Sequence, residues 1–410
     1  MPQPYTDNLR DVLEGYLGYI DGGLDRAEFD VSNFLTSAKP SQRVSTKTTQ
    51  LIIYELSEDG KKLAVPQEQQ HILYEESTYL VVHKYSSESG TNTAEVHLWC
   101  GDRVSDAAIE DAQVFCRRDA REHSAKLDVV RQGKESANLI QALGGILITR
   151  RSKSAVFYML CGRRHLSHIV FDEVDLDASS LCPGYAFLVS AAYGKLFLWK
   201  GKGAGADEIG SARLVGMDLG LTGEIEEIEQ GAETSSFWTA VGGKKLTNWS
   251  NTWQQRTDTS SPAALYRVEH ERPGMLSNLT SWGLKRATSP SKQLVKANCH
   301  YLQPFNQNDL DTPSIHILDN YRTLYIVVTR NCTSKAAEFV TALHMAQDIT
   351  MLSPAIQDRP TVPACYVVAG NMPADVRACF RKWSLLEGNS LVGKDSICVR
   401  LEDVMDALKL

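Results

Sequence analysis

Three kinds of side-chain cluster in this 410-residue chain have the composition of a binding or reaction centre. Acids gather at Asp172, Glu173, Asp175 and Asp177, and calcium takes six to eight hard oxygens of that type. A solvated acidic turn accounts for the same four residues. Basic side chains gather at Arg150, Arg151 and Lys153, at Arg163, Arg164 and His165, and at Lys244 and Lys245. Such groups attract anionic lipid by roughly 1 kcal/mol per charge, and a solvated linker is the alternative. Gly201-Lys202-Gly203-Ala204-Gly205 has the glycine content of a phosphate-cradling loop but not its Gly-Lys-Ser/Thr ending, so a strand-to-helix turn suffices. Cys161 and Cys182 stand beside no recognisable base, and the ten histidines form no His-x-x-His pair. No catalytic constellation emerges, so the chain is read as a non-enzyme with no cofactor.

A net charge of −7 argues against a dedicated nucleic-acid binder. The nine cysteines have neither CxxC nor finger spacing, and the first thirty residues are too acidic and polar for a secretory signal. Reduced, buried thiols in a cytoplasmic protein follow as the expectation. No run approaches 18 apolar residues, so no transmembrane segment is expected.

The elements that would position these residues are set by a duplication. Gln132-Gly133-Lys134-Glu135, running on to Ala142-Leu143-Gly144-Gly145, recurs as Gln230-Gly231-Ala232-Glu233, running on to Ala240-Val241-Gly242-Gly243, at a constant offset of 98 residues. Ahead of each stands an apolar run ending Trp-x-Gly, at Trp99-Cys100-Gly101 and Trp199-Lys200-Gly201. A period near 100 residues is that of a whole small domain. Apolar runs predict strands at 49–56, 78–85, 94–99 and 127–131 in the first repeat. In the second they fall at 155–160, 169–174, 186–190, 195–199 and 224–229, and in the third at 264–268, 315–318, 323–328 and 364–368. Long helices are predicted at 106–126, 207–219 (ended by Gly220) and 334–351. Short ones follow at 138–140 and 235–240, with a last helix from Pro373 to about Trp383. The fold class is α+β, each domain a central mixed sheet flanked by one long and one short helix. The divisions are 1–44 (a helical extension capped by Asp7), 45–150, 151–246, a linker at 247–262, and 263–410. The extension is read as an arm packed on the first domain or as a partner-binding amphipathic helix.

This order of elements, with Phe171-Asp172-Glu173-Val174, Leu196-Phe197-Leu198-Trp199-Lys200-Gly201-Lys202-Gly203, Gln230-Gly231-Ala232-Glu233 and Phe237-Trp238, resembles the gelsolin and villin family. Ile315-His316-Ile317-Leu318-Asp319 and Phe380-Arg381-Lys382-Trp383 look like that family's closing domain. The resemblance covers about residues 45–400, and the Phe237-Trp238 to Gly242-Gly243-Lys244 signature makes it most like the C-terminal half of a six-domain member. It implies three tandem gelsolin-like domains in an actin-binding protein that caps or severs filaments or binds monomers, working in the cytoplasm and cytoskeleton as a monomer.

The resemblance also implies one calcium site per domain, built on an acid before the central strand and a Glu on the long helix. Here those positions hold Ser77 with Ala108, Tyr185 with Glu208, and Ser314 with Glu338. No full ligand set remains, and calcium-independent behaviour is the expectation. In the family the first domain's long helix enters a cleft of actin, and the matching outward positions are Val104, Ala108, Asp111, Phe115 and Arg118. Ile109, Ala112, Phe115 and Cys116 share an inward stripe, so Phe115 belongs to either face. Phosphoinositides, in some members bound near the first domain junction, would meet Arg150, Arg151, Lys153, Arg163 and Arg164. The charge on the helix, with Arg117, Arg121 and Glu122, favours a rival reading: a non-actin protein-interaction scaffold built from gelsolin-like domains.

Overall fold

A computed structural model describes residues 8–21, 27–37, 47–86, 90–219, 224–245, 247, 249–254, 263–270, 296–383 and 396–410. The expected caps Asp7 and Gly220 and linker positions 246, 248 and 255–262 lie outside the described residues. The chain divides into two compact units. Unit 1 takes residues 1–39, 263–379 and 384–410; unit 2 takes 40–262 and 380–383.

The extension forms two helices, α1 (Leu9–Leu17) and α2 (Val31–Ser37). Leu9, Leu13, Tyr16 and Leu17 recur at helical spacing and are buried, with Val12 half-buried beside them. The expectation that this arm packs on the first domain is corrected. Its apolar face joins the third domain's core, with Val268, Ile317, Phe339, Leu343 and Val404. Helical periodicity says that a face must be buried and leaves its acceptor unspecified.

In unit 2, β1 (Lys47–Leu56), β2 (Lys62–Ala64), β3 (Ile72–Tyr74), β4 (Thr78–Ser86) and β5 (Asn92–Cys100) lead to the long helix α3 (Asp106–Glu122). Then come β6 (Leu127–Arg131), the short helix α4 (Ala137–Ala142) and β7 (Ile146–Arg150). The second repeat supplies β8 (Tyr158–His165), β9 (His168–Val174), β10 (Ala186–Ser190), β11 (Leu196–Lys200), α5 (Ala206–Leu219), β12 (Ile225–Glu229), α6 (Ser235–Ala240) and α7 (Asn251–Gln254). One sheet runs β2-β1-β4-β5-β6 and the other β12-β11-β10-β8-β9-β7-β3. The short strands β3 and β7, absent from the sequence expectation, hydrogen-bond onto the second repeat's sheet although they fall within 45–150.

Unit 1 holds β13 (Ala264–His270), β14 (Ala297–Leu302), β15 (Ile315–Asp319), β16 (Thr323–Val328), α8 (Ala336–Ile356), β17 (Ala364–Ala369), α9 (Ala374–Arg377), β18 (Ile397–Arg400) and α10 (Leu401–Leu408). Its sheet runs β14-β13-β15-β16-β17-β18. The helix expected from Pro373 to Trp383 is one turn, α9, and Phe380 to Trp383 leave it.

All three sheets are mixed and share one plan. An antiparallel trio (β1-β4-β5, β8-β10-β11, β13-β15-β16) ends in a strand that the long helix joins to a parallel neighbour. That crossover requires a helix, because parallel strands cannot be joined by a tight turn. In α3 the buried stripe is Ile109, Ala112, Cys116 and Ala120, and in α5 it is Glu208, Ala212, Val215 and Gly216. Helix α8 is buried over most of its circumference, from Phe339 and Val340 through Met345, Ala346 and Ile349, since α2 packs on it as well as the sheet. A helix apolar all round is what a two-sided burial demands.

Candidate functional site

The duplicated motif builds the same clasp twice. Trp99 is the penultimate residue of β5, and its indole Nε1–H donates to Glu135 Oε1 at 2.8 Å, while the Gly133 amide donates to the same oxygen at 3.1 Å. Trp199, likewise penultimate in β11, donates to Glu233 Oε1 at 3.0 Å, joined by the Gly231 amide at 2.9 Å. Gly133 and Gly231 have φ of 82° and 97°, a region that favours glycine. The Gln before each glycine holds the turn after the tryptophan: Gln132 Oε1 accepts from Asp102 N, and Gln230 Oε1 from Lys202 N. Ser136 and Thr234 then cap α4 and α6. The glycine of Trp-x-Gly is compelled by space. A Cβ on Gly101 would lie 2.2 Å from the Glu75 carbonyl oxygen, and one on Gly201 2.3 Å from that of Pro183.

Each clasp anchors the strand that feeds a long helix, and so sets where that helix's outer face lies. On α3, Ala108, Asp111, Phe115 and Arg118 are exposed. Val104 precedes the Ser105 cap and packs half-buried against the α3 core instead of facing outward. Phe115 leaves the core stripe; it is 45% exposed and its ring covers Gly60. Val114, which the sequence reading passed over, is 62% exposed beside it. Its place three residues beyond Asp111 was the available signal.

Known proteins resemble the chain over most of its length. The chain is 25% identical over 345 residues to gelsolin of Drosophila melanogaster, covering 83% of this chain and 40% of that protein. It is 24% identical to gelsolin of Xenopus laevis (80% and 74%) and 22% identical to villin-2 of Arabidopsis thaliana (85% and 36%). Along most of its length the chain is similar to members of the gelsolin/villin family. It spans less than half the length of the fly gelsolin and of villin-2. Residues 52–151 also match a domain of unknown function, DUF7904. A solved complex titled Thorarchaeota 2DGel3/rabbit actin is 20% identical and covers 47% of this chain and 98% of its own, with a TM-score of 0.19, too low to carry an argument.

At the positions where the gelsolin resemblance places calcium, other partners stand. Ser77 donates to Glu55, whose carboxylate also takes Lys153. Ala108 is exposed and offers no oxygen donor in its side chain. Tyr185 lies under the Arg163 guanidinium, 4.3 Å from ring centroid to the carbon at its centre. Glu208 is fully buried, and its two oxygens accept the backbone N–H groups of Arg164 (2.9 Å) and Gly205 (2.8 Å). The Ser314 carbonyl accepts from the Cys332 thiol at 3.2 Å, and Glu338 pairs with Lys335 at 2.6 Å. The four clustered acids are engaged separately: Asp172 with Arg381, Glu173 with Arg150, Asp175 with Arg151 and Asp177 with Lys245.

The five cations read as lipid contacts are likewise occupied. Arg150 is buried between Glu173 and the Tyr158 ring, Arg151 reaches Asp175, and Lys153 reaches Glu55. Arg163 donates to the Phe380 carbonyl at 2.6 Å, and Arg164 pairs with Asp207. Cys161 is buried among them, and that burial, offset in part by Arg163, raises its thiol above the usual range. A thiol so held is a poor nucleophile.

Proposed function

We propose that the chain binds actin through the outer face of α3 and does so without calcium. The observation that carries the reading is the exposed pair Val114 and Phe115, on a helix whose inner stripe of Ile109, Ala112, Cys116 and Ala120 is wholly buried. An exposed apolar patch with a polar rim is a common mark of a protein contact site. Kinship with gelsolins and a villin supplies the class of partner. The substituted calcium positions support independence from the ion. Calcium would have to displace the Arg163 cation over Tyr185 and two amides at Glu208, with no acid at residue 77, 185 or 314 to compensate. The reading includes no catalytic step, and capping, severing and monomer binding all remain within it.

Filament co-sedimentation and pyrene-actin assembly, each in chelator and in calcium, test it. Binding of equal strength in both conditions is expected; no effect on actin in either refutes it. The charged surround of the apolar pair (Glu110, Asp111, Arg117, Arg118, Arg121 and Glu122, all exposed) favours a second reading, a gelsolin-fold scaffold for a non-actin protein. Affinity capture separates the two, with actin the dominant partner under the first only. Phosphoinositide contact at Arg150, Arg151, Lys153, Arg163 and Arg164 would require each cation to exchange its present partner for a phosphate. Liposome flotation tests that.

A further inference from the structure

Residues 380–383 belong to unit 2, although the chain before and after them belongs to unit 1. Arg381 is 5% exposed, and its fork meets Asp172 through two bonds, Nε to Oδ2 at 3.0 Å and Nη2 to Oδ1 at 2.8 Å. Its Nη1 donates to Glu135 Oε2, the oxygen that the Trp99 clasp leaves over. Lys382 reaches Glu75 at 3.0 Å and Asp102 at 3.1 Å. Arg163 holds the Phe380 carbonyl, and the Phe380 ring, 1% exposed, meets Trp383 edge-on at 5.1 Å. Burial by itself would lower the basicity of both cations; the facing carboxylates reverse this and raise it.

Four carboxylates therefore face the two cations of this segment, with Arg163 acting on Asp172 and Arg103 on Glu75 from outside it. Glu75 is 1% exposed, yet its Oε2 accepts no hydrogen bond among the described residues, with Arg103 Nε 3.7 Å away. We propose that unit 2 is a receptor for a linear peptide bearing an Arg-Lys pair between aromatic residues, its seat formed by Glu135, Asp172, Glu75 and Asp102 and filled here by the chain's own Phe380 to Trp383. The order of the two cations matters. Only a planar guanidinium can bridge Asp172 bidentately and Glu135 at once, whereas Glu75 and Asp102 need only a compact charge. Another protein displaying such a segment competes with the resident one.

The test uses the full chain and a fluorescein-labelled peptide copying residues 376–385. By anisotropy, the chain carrying Arg381→Ala and Lys382→Ala binds this peptide at least tenfold more tightly than the wild type does. Binding weakens with salt, and a peptide with arginine and lysine exchanged binds at least tenfold less well. Equal affinity for both chains, or for both peptides, overturns the proposal. The double substitution takes a cation from three buried carboxylates, Asp172, Glu135 and Glu75, so near-ultraviolet circular dichroism first checks that the variant is folded. If it is not, the wild-type chain decides. A benzophenone-bearing copy of the peptide crosslinks near residues 75, 102, 135 and 172 and is displaced by excess unlabelled peptide; crosslinks elsewhere, or none displaced, overturn it. The assay contains no actin, so its outcome is independent of filament binding.

Discussion

The Trp99–Glu135 clasp of the first repeat and the Trp199–Glu233 clasp of the second share every bond that their common motif specifies, and they differ in what covers them. Glu135 is fully buried, its second oxygen taken by Arg381. Glu233 is half-exposed; burial works against its ionisation, but the Gly231 amide and Trp199 keep it below the usual carboxylate range. The turn after each tryptophan follows suit: Asp102 meets Lys382, where the second repeat has Lys202. Two residues before each tryptophan the contrast continues. His97 sits opposite Asp128 in the β5–β6 ladder, whereas Phe197 sits opposite Glu226 in the β11–β12 ladder. One scaffold thus supports a buried ionic site in one copy and an ordinary surface in the other, because the motif holds the backbone and leaves the flanking side chains free to vary.

The largest effect is expected where the copies differ most. Arg381→Ala strands Asp172 and Glu135 in the interior, and loss of one partner of a buried pair costs about 3–5 kcal/mol. Denaturant unfolding of the variant measures it, and a loss below about 1 kcal/mol, the ceiling for an exposed pair, would break the contrast. Next come Gly101→Ala and Gly201→Ala, which sharpen what is common. Each new methyl meets a backbone carbonyl that cannot swing away, so both should lose about 1–3 kcal/mol or more, and by similar amounts. Unequal losses would mean that the turns are not equivalent.

The third prediction concerns pH. His97 is buried, which alone would lower its basicity, but hydrogen bonds with Asp128 and Glu95 raise it to about 8 from an ordinary 6.5. Glu95, held by His83 and His97, is depressed below the usual carboxylate range. A raised histidine stabilises the fold fully below its unfolded value and loses that contribution as pH climbs through the folded one. The shift corresponds to about 2 kcal/mol, present below about pH 6.5 and gone above about 8. Glu95 acts in the opposite sense, its contribution present above its ordinary 4.5 and lost in acid. Urea midpoints at pH 6, 7.5 and 9 should fall in the wild type. They should stay level in His97→Phe, which imports the second repeat's residue; an unchanged slope in that variant rules out His97 as the source. The smallest effect belongs to the second repeat's surface. Lys245→Ala removes an ion pair with Asp177 whose lysine is half-exposed, and should change stability by less than about 1 kcal/mol in the same titrations.

Much of the architecture was legible in the residues. Alternating and continuous apolar runs placed most strands within a few residues, and the helix starts expected at 106 and 235 are those observed. The short strands β3, β7 and β18 were not legible, since three to five residues carry little periodic signal and their pairing is made by the backbone. On α3, helical spacing identified the buried stripe but left Phe115 between two faces, because the turn that its ring covers, at Gly60, lies fifty-five residues earlier. The acids around Asp172 read as one cluster in sequence, yet successive strand residues point to opposite faces and meet different cations.

From the linear chain alone came the resemblance to gelsolins and villins, the three-sheet α+β plan and the constant spacing of tryptophan, glycine and glutamate within each copy. These are local matters: propensity, periodicity and the geometry of a single turn. Folding in three dimensions settled which surface the N-terminal helices cover, which edge β3 and β7 extend, and that Arg381 closes a carboxylate pair more than two hundred residues away. Those outcomes depend on desolvation and charge pairing between segments distant in sequence, and such energies exist only once the segments have met.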